Sequence, residues 1–178
     1  MNAKDLLGKK IIDKNAKDLA KLAEIDINIK TFTISKIYGS IGNPISKKYY
    51  DITSDNILAV GDYIQVAETA DELEGKLLDK IPESEENRMK INNLIGKTVL
   101  NSEGNITGKV VNLDIDLTTF KINGLSISNS SSTFGKPKNE AVITQEDILG
   151  IGDYIIINKT LNEEKEEESD DSVNVDIN

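Results

Sequence analysis

The chain has 178 residues, 38% of them hydrophobic but only 4% aromatic and none of them Trp, so its core is built from Ile, Leu and Val, a supply that favours strands. It contains neither Cys nor His, which removes disulfides, thiolate chemistry, the commonest general base and the commonest transition-metal ligand. Its net charge of -10 disfavours non-specific binding to nucleic acid or an anionic membrane.

Met1 to Asp5 lead directly into a patterned segment, with no apolar signal region ahead of it, and a cytoplasmic protein is expected. No stretch approaches the ~20 apolar residues of a membrane span, so no direct membrane insertion is expected. Leu6 to Ile12 is a first apolar run. Lys14 to Glu24 reads locally as helix, but Ala23, Ile25, Ile27 and Ile29 alternate with Glu24, Asp26 and Asn28, the pattern of a strand with its polar side in solvent. Thr69 to Ile81 predicts a short amphipathic helix with Asp71, Glu72 and Glu74 in its first turn and Pro82 beyond its end. Ser84-Glu85-Glu86-Asn87 is expected to cap a second helical turn before Leu94. Ser102-Glu103-Gly104-Asn105 is a turn between Thr98-Val99-Leu100 and an alternating run in which Val111, Leu113, Ile115 and Leu117 face inward. Ser126 to Asn139 is a Ser-rich loop. Glu163 to Asp171 buries nothing and predicts a disordered acidic tail.

The chain repeats itself. Leu6-Leu7-Gly8-Lys9 aligns with Leu94-Ile95-Gly96-Lys97 at an offset of 88, which holds without a gap to Ile34 and Ile122, with 9 of 29 positions identical. Ile52 to Val66 aligns with Ile143 to Ile157 at an offset of 91, with 8 of 15 identical; the change of offset falls in the Ser-rich loop. Several short strands per copy predict two small β-barrels, whose closure leaves no exposed edge. The expected organisation is a first barrel over 1–67, a charged, partly helical linker over 68–92, a second barrel over 93–158 and the tail over 159–178. Gly104 and Gly108 are replaced by Ala16 and Ala20 in the first copy, so its hairpin turn is expected to differ in geometry. Charge is uneven too: residues 6–66 carry 9 Lys against 7 acidic residues, whereas 159–178 carry 2 Lys against 8.

Leu94-Ile95-Gly96-Lys97, Ser102-Glu103-Gly104-Asn105, Gly108-Lys109-Val110, Asp114-Ile115-Asp116 and the closing Ile148 to Ile157 segment with Gly152-Asp153 resemble a PRC-barrel domain; the resemblance covers 94–157 well and 6–66 more weakly. It implies a tandem of barrels and no shared reaction, since members of the family share a fold and not a chemistry. Tandem members resembling this chain are typical of archaea. Some act in cell division, binding the FtsZ membrane adaptor SepF and associating with other PRC-barrel proteins as homo- or hetero-oligomers. The resemblance thus implies an adaptor recruited to the division site. Its alternative implication is a ribosome-assembly factor like RimM, binding ribosomal protein or RNA, although such a protein carries a different domain before a single barrel.

The candidate sites are few. Gly104 to Val110 is one residue short of a phosphate loop and joins strand to strand, so it reads as a turn. Asp114, Asp116 and Thr118 have calcium-loop spacing, but Thr119 stands where Gly is required and the face is that of a strand, so no metal site is expected. The carboxylates fall in linker, tail or strand-exterior positions, where none is set up for acid–base work, so neither an enzyme nor a cofactor is expected. Three features remain for partner binding. Tyr63 and Tyr154 are equivalent and point outward if Ile64, Val66, Ile155 and Ile157 point in; Ile156 joins Tyr154 on that outer face. Lys47-Lys48-Tyr49-Tyr50, with Lys9, Lys10, Lys14 and Lys17 in the same copy, is the one basic-aromatic cluster and suits stacking on RNA bases or an acidic peptide, with an ordinary strand entry as its plainer reading.

Overall fold

The computed structural model describes residues 1–128 and 140–158. Of the Ser-rich loop expected over 126–139, Ser126 to Ser128 are instead the end of a strand paired on both sides, and the rest, like the expected acidic tail, lies outside the described residues. In chain order the elements are α1 (Ala3–Leu6), β1 (Lys10–Ile12), β2 (Asp18–Asn28), β3 (Thr33–Asn43), β4 (Ser46–Thr53), β5 (Ile57–Val60), β6 (Ile64–Val66), α2 (Ala70–Glu74), β7 (Arg88–Lys90), α3 (Ile91–Leu94), β8 (Thr98–Leu100), β9 (Ile106–Ile115), β10 (Ile122–Ser128), β11 (Glu140–Ile143), β12 (Ile148–Ile151) and β13 (Ile155–Ile157). Helices this short have no stability of their own and exist by tertiary packing.

The strands form two small β-barrels of one design. The first sheet runs β4-β3-β2-β1-β6-β5 with β7 added against β2; the second runs β11-β10-β9-β8-β13-β12. Each is a meander of antiparallel hairpins whose last hairpin returns to lie parallel to its first strand, β1 on β6 and β8 on β13. The cores are aliphatic: Ile11, Ile25, Ile27 and Ile52 fill the first and Leu113, Ile115, Leu125 and Ile143 the second, all essentially inaccessible. The expected facing of the closing strands holds, with Ile64, Val66, Ile155 and Ile157 buried and Tyr63, Tyr154 and Ile156 exposed.

Four expectations are corrected. The ladders do not close: hydrogen bonding ends at β4 and β5 in one sheet and at β11 and β12 in the other, so each barrel keeps strand edges. The β4 edge is covered at one point, where Tyr49 and Leu78 exchange backbone hydrogen bonds of 2.8 and 2.9 Å. The helix predicted over 69–81 is the single turn Ala70–Glu74, started by a capping box of Thr69 and Glu72 and anchored by buried Leu73. Ser84 to Asn87 cap no helix; the chain continues into β7, which pairs with the other barrel's β2.

The fourth correction concerns the first hairpin. Asp13 N donates to Lys17 O, Ala16 N donates to Asp13 O, and one Asp13 side-chain oxygen accepts from Asn15 N and Lys17 N. Asn101, Gly104, Glu103 and Asn105 reproduce that pattern bond for bond. Ala16 sits at φ 61° where Gly104 sits at 84°, so the turns share one left-handed geometry and Ala16 accepts the strain that glycine avoids.

Candidate functional site

The halves are joined by contacts that occur twice with their roles exchanged. Ile34 N donates to Phe120 O at 2.9 Å and Ile122 N donates to Phe32 O at 2.8 Å; Phe32 and Phe120 both stand at φ 55°. Thr33 and Lys121, equivalent at the offset of 88, bridge to each other. Lys90 in β7 pairs with Asp26 in the first sheet, and Asn2 pairs with Asp114 in the second. These pairs too are equivalent, since 90 and 114 exceed 2 and 26 by 88. A contact set in which i touches j and the counterpart of j touches the counterpart of i is that of an isologous, twofold interface. One polypeptide thus builds what two identical subunits build in a symmetric dimer.

The exchange also buries charge. Glu24 is 6% and Asp26 2% exposed, although alternation placed both on a solvated face. β7 and α3 cover them. Glu24 accepts from Asn92 Nδ2 at 2.7 Å, from Asn92 N at 3.4 Å and from Ile25 N at 2.9 Å. Asp26 accepts from Ser84 Oγ at 2.9 Å, and Ser84 Oγ accepts from Lys90 Nζ at 3.1 Å. Burial, and then the charges of Asp51 and Asp26, push the neighbouring Tyr38 hydroxyl up to about 12. Each carboxylate oxygen so held is satisfied by a donor, as buried polar groups require. The cluster pins the junction, and its signal was absent from the sequence because nothing in alternation tells which strand's polar side another element will cover.

In the second half the corresponding face is more open. Asp114 accepts from the Met1 amino group at 2.7 Å and from Asn123 Nδ2 at 2.9 Å, which hold its carboxyl below the usual range. Asp116 accepts from the backbone amides of Thr118 and Thr119, and these hydrogen bonds lower its carboxyl too. Both are therefore turn and strand-end acceptors. Among the described residues no group of three or more Asp or Glu is gathered as metal ligands, and no helix is long and apolar enough to cross a membrane.

Of the residues singled out for partner binding, the structure leaves Tyr63, Tyr154 and Ile156 on the surface, the tyrosines about half exposed. Each tyrosine has an exposed leucine on the adjoining edge strand: Leu58 is the bulged residue of β5 and Leu149 the bulged residue of β12. The leucines are equivalent at the offset of 91, as are the tyrosines. Each half therefore exposes one leucine and one tyrosine at equivalent positions of its closing hairpin. A groove of about 420 Å³ runs beside the second patch, between Ile29, Lys30 and Phe32 of one barrel and Ile148 to Ile151 of the other, bridged by Gln145 Nε2 donating to Lys30 O at 2.6 Å.

The basic-aromatic cluster does not stay together. Tyr50 is buried in the first core, where burial and then the charge of Glu74 raise its hydroxyl, so it faces the core and offers nothing to a partner. Tyr49 is partly covered and its backbone edge is taken by Leu78, while Lys48 pairs with Asp79. Alternation along β4 explains this, since adjacent tyrosines must point to opposite faces. Of Lys47, Lys48, Tyr49 and Tyr50, only Lys47 is exposed and without an acidic partner among the described residues; it lines a second groove with Lys10 and Lys21.

Residues 86–161 match the family model described as PRC-barrel domain, and a PRC-barrel domain is found there. No curated protein matches the chain. The match begins upstream of β7, so the strand that pairs with the first sheet belongs in sequence to the second barrel, as reciprocal exchange demands.

Proposed function

We propose that this chain is a non-enzymatic adaptor in which residues 6–66 are a second, diverged PRC barrel locked to the first as an internal twofold pair. The observation that carries the proposal is the repetition of one Leu–Tyr patch, Leu58 with Tyr63 and Leu149 with Tyr154, at two edges whose relative placement is fixed by the exchanged strands. Exposed aromatic and aliphatic side chains beside an unpaired strand edge are the ordinary materials of a protein interface. Two such patches at a fixed separation favour a partner that is itself twofold or polymeric, because the second contact is made at high local concentration. Together with the family resemblance, this makes a SepF-like division adaptor the proposed partner, with recruitment to the division site following from binding.

Surface-immobilised SepF-like adaptor, titrated with the full chain, tests the reading. Replacing Tyr63 or Tyr154 by Ser each removes one of two equivalent contacts and should weaken binding by similar factors, on the order of 10²-fold, with the double variant below detection. Changing Tyr154 and Ile156 together to Ser should match the single-patch loss while leaving the fold intact. Unchanged binding by all variants would overturn the patch assignment. Binding to ribosomal subunits in place of the adaptor would shift the reading to ribosome assembly.

A further inference from the structure

The groove that contains Lys47 lies on the first barrel, away from the Leu–Tyr patches in sequence, and nothing above assigns it a role. It has a volume of about 480 Å³ and lies across β1, β2 and the β3–β4 hairpin. Leu19, Ala20, Ile41 and Pro44 supply apolar lining, and Lys10, Lys21 and Lys47 supply charge. Asp18 is the only acidic residue of the lining, and Lys10 approaches it at 3.4 Å. Lys21 and Lys47 have no carboxylate partner among the described residues. An apolar trough with unneutralised lysines is complementary to an extended segment that alternates apolar residues and carries acid.

The chain itself contains such a segment. Glu163 to Asp171 holds seven of the tail's eight acidic residues, and Ser172-Val173-Asn174-Val175-Asp176-Ile177-Asn178 then alternates polar and apolar residues without exception. In an extended conformation Val173, Val175 and Ile177 would share one face. Residues 159–178 carry 2 Lys against 8 acidic residues, whereas residues 6–66, which form the groove, carry 9 Lys against 7. Reach is sufficient: the fifteen Cα–Cα steps from Asn158 to Val173 span up to ~50 Å, against a diameter of roughly 40 Å for a compact chain of this length.

We propose that the groove lined by Lys10, Leu19, Lys21, Ile41 and Lys47 is the docking site for residues 163–178 of the same chain. Val173, Val175 and Ile177 cover the apolar lining while Asp170, Asp171 and Asp176 neutralise the lysines. Tethering gives the segment a local concentration in the millimolar range, so weak individual contacts suffice.

The absence of native Cys allows a clean test on the full chain. A nitroxide is attached at Ile45→Cys, a 98% exposed position beside the groove, and amide signals of residues 172–178 are recorded in dilute, low-salt solution. Docking predicts that these signals lose most of their intensity and regain it in Lys21→Glu/Lys47→Glu, and in 1 M salt, where the Debye length falls to about 3 Å. A nitroxide at Ser102→Cys, on the hairpin turn of the other barrel, should leave them intact. Equal broadening from both labels, no broadening from the first, or broadening unaffected by the lysine reversals would each overturn the proposal. So would broadening seen only when spin-labelled and isotope-labelled molecules are mixed, since the segment would then dock on a second copy.

Discussion

β2 and β9 occupy the same place in their barrels, yet one is enclosed on both faces and the other on one. Along β2 the residues Glu24, Ile25, Asp26 and Ile27 are all buried; along β9 Asn112 and Asp114 remain partly open while Leu113 and Ile115 are buried. The difference comes from what each half lends the other. The first barrel receives a three-residue strand, β7, and α3; the second receives the Asn2 bridge and α1. Two sheets of one strand order can thus keep their buried polar chemistry in one of them. The core-facing positions, which both halves need, stayed aliphatic, and the outer face diverged according to its cover.

The largest effect is expected where that divergence is sharpest. Glu24 and Asn112 are equivalent. Glu24→Ala strips partners from the buried Ile25 amide and from Asn92, which covers it, and should cost about 2 kcal/mol in urea unfolding of the full chain. Asn112→Ala removes a buried side-chain oxygen, Oδ1, that has no hydrogen-bond partner among the described residues, and should cost less than about 1 kcal/mol. Equal losses at the two positions would mean that the junction does not distinguish the halves.

Alkaline pH sharpens the same contrast. Tyr38 lies beside Asp26 and Asp51 with its hydroxyl pushed up to about 12, while the equivalent position in the second barrel is Ser126, which does not titrate. Below pH 10, the ordinary value, the phenol is neutral in both folded and unfolded chains, and its contribution is fully present. As pH rises from 10 through 12 the unfolded chain ionises first, so stability is lost over that window, by about 2 kcal/mol from this group. Tyr50, raised in the same direction by burial, adds to the loss with the same sign. Tyr38→Phe should flatten most of the decline between pH 10 and 12 in stability measured by denaturant; an unchanged slope would place the burden elsewhere.

What was legible in the sequence follows a physical division. The period-two cores and the outward aim of Tyr63, Tyr154 and Ile156 depend on the pleat, and local pattern reports the pleat, except that bulges in β2 and β9 bury Leu22 and Val110 where alternation expected Ala23 and Val111. The burial of Glu24 and Asp26 depends on residues about 60 positions away, which pattern cannot weigh. The strand Arg88–Lys90 was hidden for a related reason: three residues without alternation or turn signals become a strand only because β2 offers a ladder. Tyr50 could have been read correctly, since strand parity separates it from Tyr49 once β4 is recognised. The Leu58 and Leu149 patches needed the bulges, which place both leucines outside the regular pairing.

The smallest predicted effect isolates the backbone from every side-chain contact. Ala16 and Gly104 stand at the same left-handed position of equivalent turns, held by the same backbone-amide hydrogen bonds to the side-chain oxygens of Asp13 and Asn101. A Cβ built on Gly104 would meet nothing within 4 Å, so Gly104→Ala introduces only conformational strain and should destabilise by about 1 kcal/mol. Ala16→Gly relieves that strain but loosens the unfolded chain, and the net gain should be about 0.5 kcal/mol. On melting, a chain of this size shifts by roughly 2–4 °C per kcal/mol, so the two changes should move the midpoint in opposite directions by one to a few degrees. The turns are in separate hairpins and share no partner, so the double variant should show the sum of the single effects. A destabilising Ala16→Gly would mean that the methyl group packs usefully in the first turn, and the two turns would then be alike in hydrogen bonding but not in what stabilises them.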